Sequence, residues 1–181
     1  MRPILARTGG RKRLAAGFAS AVVFVLLAVG VMAVPNVPIG DANNWSGWQD
    51  VATKVDRIVA AERVAGGEPF VFSPTHKISS LLRFYLPGQP RTYAQDILGE
   101  PALQFDYFPH ERDLKGATGI FVVDNDRESR FDRSRLLSHF DDVRLADSVT
   151  ITGFGRVVRK VDIYVATNYK GHPVGREKNG R

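Results

Sequence analysis

Two carboxylates separated by one residue, Asp124 and Asp126, follow the apolar run Ile120–Val123. Carboxylates placed after a buried strand can hold a divalent cation through hard oxygen ligands and so bind a nucleotide-sugar diphosphate. The three arginines that follow would partly neutralise this pair, and Asp and Asn in loops often bond to their own backbone. We therefore predict a solvated polar loop at this position, with no metal site and no cofactor.

Other motifs of catalysis are not evident in the sequence. The chain has no cysteine, which excludes thiolate metal sites and cysteine nucleophiles. No Gly-x-Ser-x-Gly sequence marks a nucleophile elbow, and Gly153 and Gly155 lack the third glycine of a dinucleotide-binding loop, which favours a hairpin turn. Zinc-binding spacing is absent from the four histidines, His76, His110, His139 and His172. The residues alone indicate no catalytic centre.

The segment Ile78–Pro90 and the residues after it combine aromatic side chains with hydrogen-bond donors. Aromatic faces together with amide and guanidinium donors are suited to binding sugar rings and phosphates. Packing in the core explains the aromatic residues equally well. The predicted substrate contacts are Arg83, Tyr85, Gln89 and Arg91. The aromatic residues expected to form one cluster with them are Phe84, Tyr85, Tyr93, Phe105, Tyr107 and Phe108.

Positive charge lies at the two ends of the chain. The net charge is +6, the first 34 residues hold five basic and no acidic residues, and the last fourteen carry a net charge of +3. The part between them is therefore slightly acidic, at −2. A nucleic-acid-binding protein concentrates positive charge on its folded surface. The distribution therefore predicts no nucleic-acid partner.

Residues 14–34 form an uncharged apolar run that includes eleven Leu, Val and Phe residues. As a helix, this run would be about 31 Å long, enough to cross a hydrocarbon core of about 30 Å. Its Leu, Val and Phe residues together favour insertion by about 3–6 kcal/mol. The sequence therefore predicts one transmembrane helix over residues 14–34, ended by Pro35 and Pro38.

The charges beside this helix predict its orientation. Arg11, Lys12 and Arg13 precede it, whereas residues 35–44 contain no Lys or Arg. The positive-inside rule places the basic segment 1–13 in the cytoplasm and the later residues outside it, as in a single-pass protein of the cell inner membrane with a periplasmic domain. A cleaved signal peptide is the alternative, because residues 31–33 resemble a cleavage site, although signal cores are usually about 7–15 residues long. Both alternatives export the same domain.

After a linker at 35–44, the sequence predicts a small extracytoplasmic α/β domain over residues 45–169 and a basic flexible tail over 170–181. The predicted helices are Trp45–Ala65, Lys77–Leu86 and Ser134–Phe140. The predicted strands are Pro69–Phe72, Arg91–Tyr93 and Gly119–Val123, followed by a C-terminal β-hairpin of Val143–Thr152 and Arg156–Thr167. Phe105–Pro109 is expected to be extended. Strands alternating with helices favour an α/β sandwich with a mixed sheet, parallel at its centre and antiparallel at its edge.

Five segments appear in this order after the basic residues and the apolar span: GWQDVATKV, PFVFSP, ISSLLRFYLPGQP, QFDYFP and GIFVV. The chain thereby resembles, over residues 10–170, the C-terminal end of bacterial polytopic membrane glycosyltransferases of the GT-C type, related to protein mannosyltransferases and aminoarabinose transferases. The most specific element is Leu82–Pro90, where a Phe-Tyr-Leu-Pro-Gly run closes a helix. The resemblance implies an enzyme that uses a polyprenyl-phosphate-linked sugar on the outer side of the membrane.

The catalytic acidic residues of that family lie in its first extracytoplasmic loop, near the start of a chain with many spans. No position of this sequence corresponds to them, so no catalytic residue is carried over. We therefore expect a truncated or split chain that does not transfer sugar alone. Its expected partners are the lipid bilayer, a multi-span membrane glycosyltransferase subunit and a lipid-linked sugar. The alternative is a stand-alone, membrane-anchored binding or assembly protein of the cell envelope.

Overall fold

The computed structural model describes residues 6–33, 47–107, 113–124, 133–153 and 155–171. Helix α1 spans Ala6–Ala33 and therefore includes the basic residues that precede the apolar run. Within it, Lys12–Gly30 is long and apolar enough to cross a membrane, and none of this stretch is buried inside the protein. The predicted N-terminal helix is thus present as one candidate membrane span. The predicted last residue of this span, Val34, lies outside the described residues.

The remaining elements form one α/β domain. Its helices are α2 (Trp48–Val64), α3 (His76–Tyr85) and α4 (Arg133–Leu137). Its strands are β1 (Phe70–Phe72), β2 (Thr92–Tyr93), β3 (Gly119–Asp124), β4 (Asp142–Gly153) and β5 (Arg156–Thr167). The sheet order is β2-β1-β3-β5-β4. β1 is parallel to β2 and β3, whereas β5 is antiparallel to β3 and β4. The predicted mixed sheet and closing hairpin are confirmed.

Hydrogen bonds of Ser and Thr side chains connect the elements of the β1–α3–β2 unit. The Thr75 hydroxyl caps α3 by accepting the backbone N–H of Ile78 at 3.4 Å. The hydroxyl of Ser79 on α3 donates to the carbonyl of Tyr93 at 2.6 Å, and that of Thr92 donates to the carbonyl of Ser79 at 2.8 Å. The two bonds donated by Ser79 and Thr92 are buried, so they satisfy backbone carbonyls that water does not reach. They attach β2 firmly to α3.

Each face of the sheet has its own hydrophobic core, because successive residues of a strand point to opposite faces. One face, which we call the helical face, packs against α2 and α3. Its members include Trp48, Val51, Val55, Leu82, Ile120, Val122, Ile163 and Val165. The other, which we call the aromatic face, is covered by α4 and by residues of the segments 95–98 and 114–117. Its members include Phe70, Phe72, Tyr93, Phe121, Leu136, Phe140 and Tyr169.

Beyond shifts of one to three residues at the ends of other elements of this domain, the segment 95–107 and the end of α4 differ from the sequence expectations. Residues Gln95–Leu98 and Leu103–Tyr107 form short 3-10 helices, so the extended conformation expected for the second of these segments is wrong over residues 105–107. A carboxylate stabilises each turn, because Asp96 accepts the N–H of Ala94 and Asp106 accepts the N–H of Ala102. The later residues of that segment, 108 and 109, lie outside the described residues. Helix α4 ends three residues earlier than predicted, at Leu137.

The edge strand β4 is long and irregular. Its pairing with β5 shifts register between Leu145 and Asp147 and again between Ile151 and Thr152. Such bulges bend a strand and increase its local twist. β4 is also joined to α2 by two ion pairs, described below, so the hairpin and the helix form one framework.

Candidate functional site

A cleft of about 240 Å³ opens where the C-terminal half of α2 faces the starts of β1 and β2. Its third side is the loop between α3 and β2. The lining residues are Asp56, Val59, Arg63, Pro69, Phe70, Val71, Leu86, Pro87, Pro90, Arg91 and Tyr93. The cleft therefore combines one carboxylate and two guanidinium groups with an apolar, proline-rich wall.

One stripe of α2 supplies the first side of the cleft. Asp56, Val59 and Arg63 are three and four residues apart, which places them on one face of a helix. Val59 is buried in the core of the helical face, whereas Asp56 is half-buried and Arg63 is exposed. The same helix face that anchors α2 to the sheet thus presents a carboxylate and a guanidinium at the rim of the cleft.

Contacts between α2 and β4 hold this side in place. The Lys54 ammonium lies 2.7 Å from a carboxylate oxygen of Asp147, and the Arg144 guanidinium lies 2.8 Å from a carboxylate oxygen of Glu62. The hydrogen bond from Lys54 holds the pKa of Asp147 below its usual value. Because these groups are partly exposed, each pair contributes little energy, about 0.2–1 kcal/mol. Together they restrict sliding of α2 along the sheet.

The loop after α3 supplies the opposite side. Leu86 closes the helix, with its N–H donating to the carbonyl of Leu82 at 2.9 Å, and the N–H of Gln89 then donates to the carbonyl of Leu86 at 3.0 Å. Pro87 and Pro90 have fixed φ angles, so this turn has few alternative conformations. The loop is therefore a stiff wall whose shape exists before a ligand binds.

Arg91 lies over the floor of the cleft. The carbon atom of its guanidinium is 5.3 Å from the ring centroid of Tyr93, the geometry of a cation–π contact. The Tyr93 ring in turn meets Phe70 edge-on, with 5.6 Å between their centroids. Stacking on a fixed ring restricts the Arg91 side chain, which lowers the entropy lost when the guanidinium binds an anion.

The other three predicted contacts do not line this cleft. Arg83 and Gln89 are exposed, and Tyr85 is half-buried against the core of the helical face. Tyr85 also meets Phe84 edge-on at 4.9 Å, and Phe84 is 67% exposed. Of the four residues chosen from the sequence, the structure therefore places Arg91 alone in the lining of the cleft.

The aromatic residues expected to cluster are in fact separated. Tyr85 belongs to the helical face of the sheet and Tyr93 to the aromatic face. Phe105 packs with two alanines in a small core of its own, and Tyr107 is 85% exposed. Phe108 lies outside the described residues. The expectation of one aromatic cluster is therefore wrong, because the sheet divides residues that are close in sequence.

Asp124, the first carboxylate of the candidate metal motif, pairs with a buried arginine. A carboxylate oxygen of Asp124 lies 2.7 Å from Nε of Arg159, whose side chain is 4% exposed. The guanidinium carbon of Arg159 is 5.2 Å from the ring centroid of Trp48. Asp126 is outside the described residues. Within the part of the chain that the structure describes, no group of three or more His, Cys, Asp or Glu residues could hold a metal ion.

Sequence reasoning missed Asp56 and Arg63. The signal was available, because these charged residues flank Val59 at helical spacing near the end of a predicted helix. The pattern alone does not show that the loop after α3 lies opposite them. That information comes from the parallel pairing of β1 with β2.

No protein-family model, no curated protein and no solved structure matches this chain.

Proposed function

We propose that the chain is the membrane-anchored, extracytoplasmic domain of a glycosyltransferase that uses a polyprenyl-phosphate-linked sugar. In this proposal α1 spans the inner membrane with its basic end in the cytoplasm. The α/β domain binds part of the substrate in the cleft between α2 and the loop Leu86–Arg91. In the same proposal, a multi-span subunit supplies the catalytic carboxylates.

One observation supports this proposal above the others. The loop within the most specific part of the family resemblance, Leu82–Pro90, forms one side of the cleft, and Arg91 follows directly. A guanidinium stacked on a tyrosine beside a rigid turn is suited to a sugar phosphate or to a sugar ring carrying hydroxyl groups. The site thus offers the interactions that lipid-linked sugars or their acceptors require.

The orientation can be tested with single cysteines, because the chain has none of its own. Ser138 is exposed in the domain, and Thr8 precedes the basic cluster. In intact spheroplasts, Ser138→Cys is expected to react with a membrane-impermeant maleimide, whereas Thr8→Cys reacts only after permeabilisation. Labelling of Thr8→Cys before permeabilisation, with Ser138→Cys protected, would reverse the proposed topology.

The function is tested by sugar transfer in membranes. The full chain is co-expressed with candidate multi-span membrane glycosyltransferases, and transfer from a radiolabelled polyprenyl-phosphate sugar is measured with and without the chain. We expect transfer to require the chain. Arg91→Ala is expected to reduce transfer about 10- to 100-fold, the value of one hydrogen bond to a charged group. Arg57→Ala, an exposed α2 residue outside the cleft, is the control.

The results distinguish the proposed function from the alternative. Full transfer without the chain would refute a role in this enzyme. If the chain is dispensable for transfer but still binds envelope glycans, a stand-alone envelope binding protein is the better description. Equal loss of transfer in Arg91→Ala and Arg57→Ala would show that the cleft is not the relevant surface.

A further inference from the structure

We infer that the cleft binds an anionic monosaccharide unit, meaning one sugar ring that carries a carboxylate or a phosphate. Arg63 and Arg91 bind the anionic group, and Asp56 accepts hydrogen bonds from the sugar hydroxyls. The choice of a saccharide rests on the proposed function. The anionic group and the size of the ligand rest on the cleft itself.

The charges of the lining favour an anion. Among the described lining residues, the formally charged side chains are one carboxylate, Asp56, and two guanidinium groups, Arg63 and Arg91, so formal positive charge exceeds negative charge by one. The part of the chain between its two basic ends has the opposite sign, with a net charge of −2. The positive charge of the cleft is therefore a local arrangement and does not follow from the overall charge of the domain.

Two of these groups are not engaged elsewhere. Among the described residues, neither Asp56 nor Arg63 takes part in a side-chain hydrogen bond or an ion pair. Their neighbours on α2, Lys54 and Glu62, both form ion pairs with β4. The α2 charges that face β4 thus stabilise the fold, whereas those that face the cleft are available to a ligand.

The end of α2 does not itself attract an anion. The C-terminus of a helix carries a partial negative charge. In this structure the last turn is closed by Ala65, Gly66 and Gly67, whose N–H groups donate to helix carbonyls at 3.0–3.1 Å. An anion at this position therefore depends on the guanidinium groups, so removal of either arginine is expected to have a large effect.

The dimensions of the cleft restrict the ligand. A volume of about 240 Å³ is below the range of roughly 300–1,000 Å³ that is typical of sites for drug-sized molecules. One sugar ring is a suitable occupant, whereas a polyprenyl chain or an oligosaccharide would extend beyond the walls. Because Pro69, Pro87 and Pro90 stiffen those walls, little ordering is required on binding.

The test measures binding by the full chain in phosphatidylcholine nanodiscs, which present no anionic lipid. Isothermal titration calorimetry is performed with glucuronate, glucose 1-phosphate, glucose and inorganic phosphate. We expect both anionic sugars to bind, with glucose and inorganic phosphate each at least ten-fold weaker. Arg63→Ala and Arg91→Ala are each expected to weaken binding at least ten-fold, and the control variant Arg57→Ala, an exposed α2 residue outside the cleft, is expected to leave it unchanged.

Several results would overturn this inference. Equal affinity for glucose would show that the anion is not recognised, and equal affinity for inorganic phosphate would show that the sugar is not. Unchanged binding in Arg63→Ala and Arg91→Ala would place the ligand elsewhere, and circular dichroism of each variant shows whether it is folded. If sugar transfer needs the chain but no anionic sugar binds, this inference fails and the proposed function survives. If the chain binds anionic sugars but is dispensable for sugar transfer, the proposed function fails and this inference survives.

Discussion

The ion pair between Asp124 and Arg159 is predicted to be important for stability. Arg159 is nearly inaccessible and lies between the Asp124 carboxylate and the ring of Trp48. The substitution Asp124→Asn keeps the shape of the side chain but removes its charge. The buried guanidinium then loses the carboxylate that lies 2.7 Å from its Nε.

The magnitude follows from burial. Removing one partner of a buried ion pair typically costs about 3–5 kcal/mol, because the remaining charge is poorly solvated. The Asp124 side chain retains 16% exposure, so water reaches part of the site. We therefore expect Asp124→Asn to lower the free energy of unfolding by about 3 kcal/mol, near the lower end of that range. The double substitution Asp124→Asn with Arg159→Met removes the buried charge and is expected to recover at least about 1 kcal/mol of that loss.

Urea denaturation of the full chain in mild detergent measures this change. Tryptophan fluorescence reports on the domain, because α1 contains no tryptophan. Asp142→Asn, an exposed carboxylate on β4, is the control, with an expected change within about 0.5 kcal/mol. If Asp124→Asn also changed the free energy of unfolding by less than about 0.5 kcal/mol, the ion pair with Arg159 would not be important for stability. Stabilisation of the unmodified chain, but not of the variant, by Mn²⁺ would instead identify Asp124 as a metal ligand.

Two further predictions concern other parts of the domain. Gly47 precedes α2 with φ +81°, and a Cβ atom there would overlap the Ile151 side chain. The substitution Gly47→Ala is therefore expected to lower the free energy of unfolding by about 2–5 kcal/mol, because it adds left-handed backbone strain and overpacking. A melting temperature equal to that of the unmodified chain would contradict this. Burial, and secondarily the charge of Asp96, raises the pKa of Tyr169 to about 12. Since unfolding restores the ordinary value of about 10, the unfolded chain loses this proton first, so the Tyr169 contribution to stability falls between about pH 10 and 12. In Tyr169→Phe, the free energy of unfolding is expected to decline less steeply over that pH range. It is also expected to be about 1 kcal/mol lower at neutral pH, because the hydroxyl no longer donates to the carbonyl of Ile97. Identical dependence on pH in urea denaturation would refute this assignment.

Much of the fold follows from local sequence signals. The apolar run Gly119–Val123 without alternation predicts a strand covered on both faces, and β3 has helices or loops on each side. Helix α2 ends just before Gly66, and α3 ends just before Pro87, both close to the predicted positions. These signals succeed because they depend on backbone geometry and on burial over a few residues.

The 3-10 helices and the cleft depend on other information. The turn at Leu103–Tyr107 depends on the bond from the N–H of Ala102 to a side chain four residues later, which competes with the extended preference of Phe105 and Tyr107. The cleft requires β1 and β2 to be neighbours, a pairing separated by about twenty residues of sequence. The sequence predicts Arg91 as a contact because aromatic residues and hydrogen-bond donors surround it in the chain. Asp56 and Arg63 line the cleft only because the loop after α3, distant in sequence, lies opposite them.

The irregular pairing of β4 has a consequence for the proposed anchoring of this domain at a membrane surface. Confinement to two dimensions raises the frequency with which copies meet, and a long, flat outer strand would then recruit the same strand of a neighbour. The two register shifts twist β4 away from the straight geometry that intermolecular sheets need, and Arg144 and Asp147 add charges along it. High surface density is thus compatible with copies that do not aggregate through their sheets.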